Sequence, residues 1–172
     1  MIQYSKLICV LLFLFLFVSV FAQKRVKKYL HKYESLAIAK AEQHRIPASI
    51  ILGVSMIESS CGESSICKSL NNFFGIKGKN WSSKDKMGYK SAYKEYATEV
   101  ESFEHFCQVV KKKNFYRRLK GSVDFKEWLE NMNNASYASA KRKWIDQISR
   151  TITQYKLYKL DKEIQNSTAA NP

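Results

Sequence analysis

Apolar residues recur at Tyr29, Leu30, Tyr33, Leu36, Ala37 and Ala41, the three-and-four spacing of one helix face over residues 26–45. Ile46-Pro47 ends that helix, because proline has no backbone donor, and Pro47 suits the first turn of the next. A second, greasier helix is expected over 48–60, stopping at Gly62. Residues 71–78 read as a structured loop, with Asn71, Asn72, Gly75 and Gly78 supplying turn conformations. In the next stretch, Tyr89, Ser91, Tyr93 and Glu95 alternate with Lys90, Ala92, Lys94 and Tyr96, which predicts a short, half-exposed hairpin within 78–97. Helical spacing resumes over 99–113, 115–119, 124–131 and 140–157, and the small polar residues 166–172 are expected to form a disordered tail. The pattern holds no repeat and no linker long enough for a second domain. It describes one mostly helical domain with a small β lobe.

The front of the chain is different. One lysine, Lys6, precedes an apolar run over 7–21 that ends in Val20-Phe21-Ala22, the layout of a secretory signal peptide cut after Ala22. The run is short for a membrane span; an uncleaved N-terminal anchor is the other reading. Residues 23–165 then form the domain. The formal charge of +14 becomes +13 when Lys6 leaves, with 28 basic residues against 15 acidic ones. Outside the cytoplasm such a protein meets an anionic cell envelope rather than nucleic acid, although a basic surface also serves solubility alone. Cys61, Cys67 and Cys107 remain, an odd number in an oxidising compartment, so one pair can bridge and one thiol is left over. The cysteines and His31, His44 and His105 lack metal-ligand spacing. No metal and no cofactor are expected.

Glu58 is the residue that does not fit the second helix. At about 100° per residue, Ile50, Val54, Ile57 and Cys61 form one stripe, and Glu58 falls with Ile51 at its edge. Partial burial there disfavours the charged form and raises the carboxyl pKa, which a proton donor to a leaving oxygen requires. The competing reading is an edge glutamate paired with one of the lysines. Periodicity alone leaves both open.

Ile46-Pro47-Ala48-Ser49, the apolar helix, Ile57-Glu58-Ser59 with Gly62 and Ser64, and the block Asn71 to Lys77 together resemble glycoside hydrolase family 73. These are the N-acetylglucosaminidases that cut peptidoglycan, among them the muramidase-like domain of flagellar rod-assembly proteins. The resemblance continues through Tyr96, Glu101-Ser102 and Tyr137-Ala138, nearly the whole of the mature chain. It implies an α+β, lysozyme-like fold with a glycan groove between a helical lobe and a β lobe. It implies that Glu58 is the general acid, that Asn72, Phe73, Phe74 and Gly75 wall the groove, and that Tyr137 lies beside the catalytic centre. Asn71 and Trp81 add polar and ring faces for sugars. Core packing is the competing reading for Phe73 and Phe74, and a buried tyrosine for Tyr137.

A second carboxylate serves many glycosidases as base or nucleophile. The position of a relative's glutamate aligns here with Ser91, leaving Asp85 and Glu95. Glu95 is preferred, since alternation puts it on one face with Ser91 and Tyr93; otherwise the substrate's own 2-acetamido group assists. The expected protein is a secreted or periplasmic, monomeric endo-β-N-acetylglucosaminidase acting on peptidoglycan strands, without a membrane span after signal cleavage. The alternative is a binding module of the same fold without turnover. A basic toxin-like or nucleic-acid-binding protein is a third reading, which none of the motifs asks for.

Overall fold

The computed structural model describes residues 2–135 and 141–170, with side chains described for 23–135 and 142–167. The helices are α1 (Ile2–His44), α2 (Ala48–Glu58), α3 (Ser65–Leu70), α4 (Ser83–Met87), α5 (Glu99–Lys111), α6 (Tyr116–Leu119), α7 (Phe125–Asn134), α8 (Lys141–Gln154) and α9 (Tyr158–Ala170). The chain divides into two compact units, Met1–Lys32 and Tyr33–Pro172. The first is helical from Ile2 on. Among the residues with described side chains, no helix is long and apolar enough to cross a membrane.

The second unit is built around α2. Every residue from Ala48 to Met56 is buried, and the helix packs against α7, α8 and α9. Contact with α8 is close because position 53 has no side chain: a Cβ on Gly53 would lie 2.9 Å from Cγ1 of Ile152. On α8, Trp144, Ile148 and Ile152 recur every four residues and form the buried stripe that meets it. Helix α5 supplies Phe103, Phe106, Cys107 and Val110 to the same core. Its start is fixed by Thr98, whose hydroxyl accepts the Glu101 N–H at 3.2 Å, while Glu101 reaches back to the Ala97 N–H at 3.0 Å. Asp124 caps α7 in the same sense, accepting from Lys126 and Glu127. Pro47 gives α2 no side-chain cap; instead Asp161 of α9 accepts the Ser49 N–H at 3.0 Å.

Two expectations change. The long helix of 140–157 breaks after Gln154: Lys156 takes a positive φ of 56°, the Leu157 N–H bonds back to the Ile152 carbonyl, and α9 begins at Tyr158. Helix α9 then runs to Ala170, through most of the segment read as a tail.

The expected β-hairpin lobe is absent among the described residues, where a single isolated antiparallel bridge, Lys77 with Tyr93, stands in its place. The base of the lobe is ladder-like, with Gly78 N–H to the Ala92 carbonyl and Lys94 N–H to the Ile76 carbonyl. Beyond that, side chains take over from strand pairing. The Asn80 amide donates to the carbonyls of Ser91 (2.7 Å) and Tyr93 (2.9 Å), and Ser83 bridges Asn80 to the Ser91 N–H. Helix α4 fills the tip. The alternation of 89–96 reflects which residues face these staples, not a pleated strand.

Candidate active site

Glu58 is the last residue of α2, half-buried, because the chain turns sharply just after it. Ser60, Cys61 and Gly62 all adopt positive φ, and Cys61 N–H closes on the Met56 carbonyl at 2.8 Å. Ser59 locks the turn, donating its hydroxyl to the Ser55 carbonyl at 2.6 Å and accepting the Gly62 N–H at 2.8 Å. The carboxyl is therefore held at a helix C-terminus, where the dipole also disfavours negative charge.

Two neighbours define its surroundings. The Trp144 indole N–H donates to Oε1 of Glu58 at 2.8 Å. Gly75 lies against the other oxygen: a Cβ there would sit 3.1 Å from Oε2, and the backbone has φ +63°, so a side chain would press on the carboxyl and strain the backbone. The Tyr93 ring edge would lie 4.0 Å from that Cβ, which makes it a neighbour of Gly75. Burial raises the Glu58 pKa above the usual carboxylate range, and the Trp144 hydrogen bond only partly opposes it. With Oε1 engaged by a donor, a proton on this carboxyl belongs on Oε2, on the side of Gly75.

The remaining expected site residues are distributed differently. Asn72 is buried and fully used: its amide donates to the Ile76 (2.8 Å) and Lys94 (2.7 Å) carbonyls, and its oxygen accepts from Phe74 and Ile76 N–H groups. It holds the loop of residues 71–78 to the lobe. Phe73 and Phe74, 3% and 2% exposed, are core residues rather than sugar platforms. Phe73 packs on Tyr33 and Phe103, and Phe74 stacks on Phe106 with centroids 4.1 Å apart. Asn71, in the left-handed conformation, ends α3 and donates to the carbonyls of Tyr96 and Ala97. Trp81 alone of the proposed ring faces is open, at 68% exposure. Asp85 is an exposed first-turn residue of α4. Tyr137 lies outside the described residues.

Glu95 is turned into the lobe, 2% exposed. It accepts from the Trp81 and Ser82 N–H groups at 2.8 Å each, from the Ser82 hydroxyl, and from Lys86 Nζ at 3.0 Å. Burial pushes its pKa up, but these four donors more than offset that and hold it at about 2. A carboxylate so engaged is a weak base. Ser91 is buried and serves the same framework, accepting the Tyr93 N–H at 3.1 Å. Among the described residues, no cluster of His, Cys, Asp and Glu could hold a metal ion.

Sequence reasoning missed Trp144 as the partner of Glu58 and Tyr93 as a neighbour of Gly75. The available signal for Trp144 was chemical: a tryptophan on a core stripe needs an acceptor for its N–H.

Comparison with known proteins bears on this arrangement. The crystal structure of the catalytic domain of the autolysin Auto from Listeria monocytogenes is similar with a TM-score of 0.62 at 19% identity, covering 78% of this chain and 86% of that one. The glycoside hydrolase domain of FlgJ from Salmonella typhimurium is similar with a TM-score of 0.56 at 17% identity, covering 84% and 96%. At such identities the likeness is one of fold, mostly helical and lysozyme-like. A search of curated proteins gives no match. Residues 34–157 match the family model Glucosaminidase, described as mannosyl-glycoprotein endo-beta-N-acetylglucosaminidase. That span takes in Glu58, Gly75, Tyr93 and Trp144, and the chain belongs to this glucosaminidase family, glycoside hydrolase family 73.

Proposed function

We propose that the protein is a peptidoglycan hydrolase that cleaves the N-acetylglucosaminyl linkage, with Glu58 as the general acid. The carrying observation is the environment of Glu58: a carboxyl with raised pKa, one oxygen fixed by Trp144 and the other against the side-chain-free Gly75. A group that keeps its proton near neutral pH and presents it from a fixed oxygen is what departure of a sugar oxygen requires.

In this reading the Oε2 proton passes to the glycosidic oxygen as the bond from that oxygen to C1 breaks. Neither Glu95, committed to four donors, nor the exposed Asp85 is suited to drive water at C1. The 2-acetamido carbonyl oxygen of the substrate attacks C1 instead, closing a five-membered ring. Water then opens that ring at C1 and returns a proton to the Glu58 carboxylate, leaving a hemiacetal of retained configuration. Trp81 offers a ring face to a sugar, and the family resemblance assigns Tyr137 a place beside the linkage. Residues 1–22 act as the secretory signal, so the mature protein works outside the cytoplasm, as a monomer.

The second reading, a binding module without turnover, draws on the same full engagement of Glu95. Digestion of purified cell wall separates the two. New reducing ends identified by mass spectrometry as N-acetylglucosamine support the enzyme; N-acetylmuramic acid ends reject the linkage assignment. Binding with no new ends supports the module.

A further inference from the structure

Residues 77–94 carry six lysines against one acid, Asp85. Lys86 is committed to Glu95 and to the Ser69 carbonyl, and Lys94 lies over the Tyr96 ring at 5.5 Å. Lys77, Lys79, Lys84 and Lys90 are exposed, and among the described residues none of them has an ion-pair partner. Trp81 and Tyr89, 68% and 55% exposed, stand on the same short segment.

This is not a loose basic loop. Asn72, Asn80, Ser83 and Glu95 staple its backbone, so the ammonium groups project from a fixed frame and less ordering remains to be done on binding. Its base adjoins the acid: Lys77 bridges to Tyr93, whose ring edge approaches Gly75 beside Oε2 of Glu58. An extended ligand reaching Glu58 from this side meets a rim that is positive, with ring faces between the charges. That suits a polymer of sugar rings bearing acids, not a neutral polysaccharide.

Resting on the hydrolase reading above, we propose that the lobe of residues 77–94 recognises carboxylates pendant on the glycan strand. The site thereby selects strands whose lactyl-linked peptides carry free acids over strands whose acids are amidated. Lys77, Lys79, Lys84 and Lys90 are the specificity-determining residues.

The test uses full-length protein bearing Glu58→Gln, so that binding is read without turnover, in sedimentation with two forms of insoluble wall. One is untreated; in the other the carboxylates have been converted to amides with a carbodiimide and ammonia. The expected result is about tenfold weaker binding to the amidated wall. Adding Lys77→Gln, Lys79→Gln, Lys84→Gln and Lys90→Gln should collapse that ratio to about one. The milder pair Lys84→Gln with Lys90→Gln should reduce it part of the way if the fourfold change fails to fold. Equal binding of the two walls would overturn the proposal, as would a ratio that survives the lysine changes. Vesicles of phosphatidylglycerol bound as tightly as untreated wall would also overturn it, showing a surface for lipid instead. Active protein that releases no new ends while the ratio persists would reject the hydrolase reading and leave the recognition standing.

Discussion

Glu58 and Glu95 are both shielded carboxylates, and their neighbours drive them in opposite directions. Glu58 has one hydrogen-bond donor against its burial and is raised; Glu95 has four donors and is lowered to about 2. That difference suits Glu58, rather than Glu95, to the proton-donating role proposed above. Glu58→Gln preserves shape and hydrogen bonding but removes the transferable proton, so turnover should fall about 10²-fold or more with the fold intact. A well-folded Glu58→Gln protein with near-normal turnover would end the assignment. Trp144 supplies a sharper check. Its N–H stabilises the ionised form and so lowers the Glu58 pKa. Trp144→Phe removes that stabilisation and should raise the pKa further. Because the acid must be protonated, the alkaline limb of kcat/KM should move to higher pH. A limb that stays in place or moves down would separate Glu58 from the titration that limits the rate.

At the scale of elements, the helices and the lobe differ in how far the sequence discloses them. Helices α2, α5, α7 and α8 fall close to their expected spans, because the stripe that buries each one is written in its own spacing. Glu58 was legible for that reason, as a charge on the edge of a buried stripe. The lobe was not. Its backbone partners are side chains of Asn72, Asn80 and Glu95, some 11 to 22 residues distant in sequence, and such staples leave no period. Trp144 is 86 residues from Glu58, and local pattern does not encode which helix faces which loop. The burial of both Phe73 and Phe74 follows from the same cause, since α5 supplies the rings that cover them. Two substitutions test these elements. Glu95→Gln keeps an acceptor but loses the charge, and should weaken protection of the Trp81 and Ser82 amides by about 1–3 kcal/mol in hydrogen exchange. If Glu95 also acted as the base, the same change would in addition cut kcat by about 10²-fold or more. Gly53→Ala should lower stability by about 1–3 kcal/mol in denaturant unfolding, because Ile152 Cγ1 and Ile148 Cγ2 stand within 2.9 and 3.1 Å of the added methyl. The gain in helix propensity offsets at most about 1 kcal/mol of that.

For the whole molecule, the titrating carboxylates fix how stability varies with pH. Glu95 and Glu104 are both held at about 2; in Glu104 burial is outweighed by hydrogen bonds from Lys40, His44 and Gln108. Their ordinary value is 4.5, so each contributes stability that is fully present above it and is lost as pH falls from 4.5 towards 2. Asp161, whose Oδ1 accepts the Ser49 N–H at the start of α2, has its pKa raised by burial, as Glu58 does at the other end of that helix. A raised carboxyl acts with the other sign: the folded state binds the proton more tightly, so stability declines as pH climbs through the raised value. The formal charge of +14 steepens the acid limb, since every protonated carboxylate adds to net repulsion. Thermal unfolding followed from pH 2 to 8 should therefore give a maximum, with the steepest loss below pH 4.5. Asp161→Asn keeps the oxygen that accepts from Ser49 and removes the charge. It should flatten the decline above the maximum and leave the acid limb in place. An acid limb that flattens with Asp161→Asn, or an alkaline decline that survives it undiminished, would show that Asp161 is not what ties the start of α2 to pH.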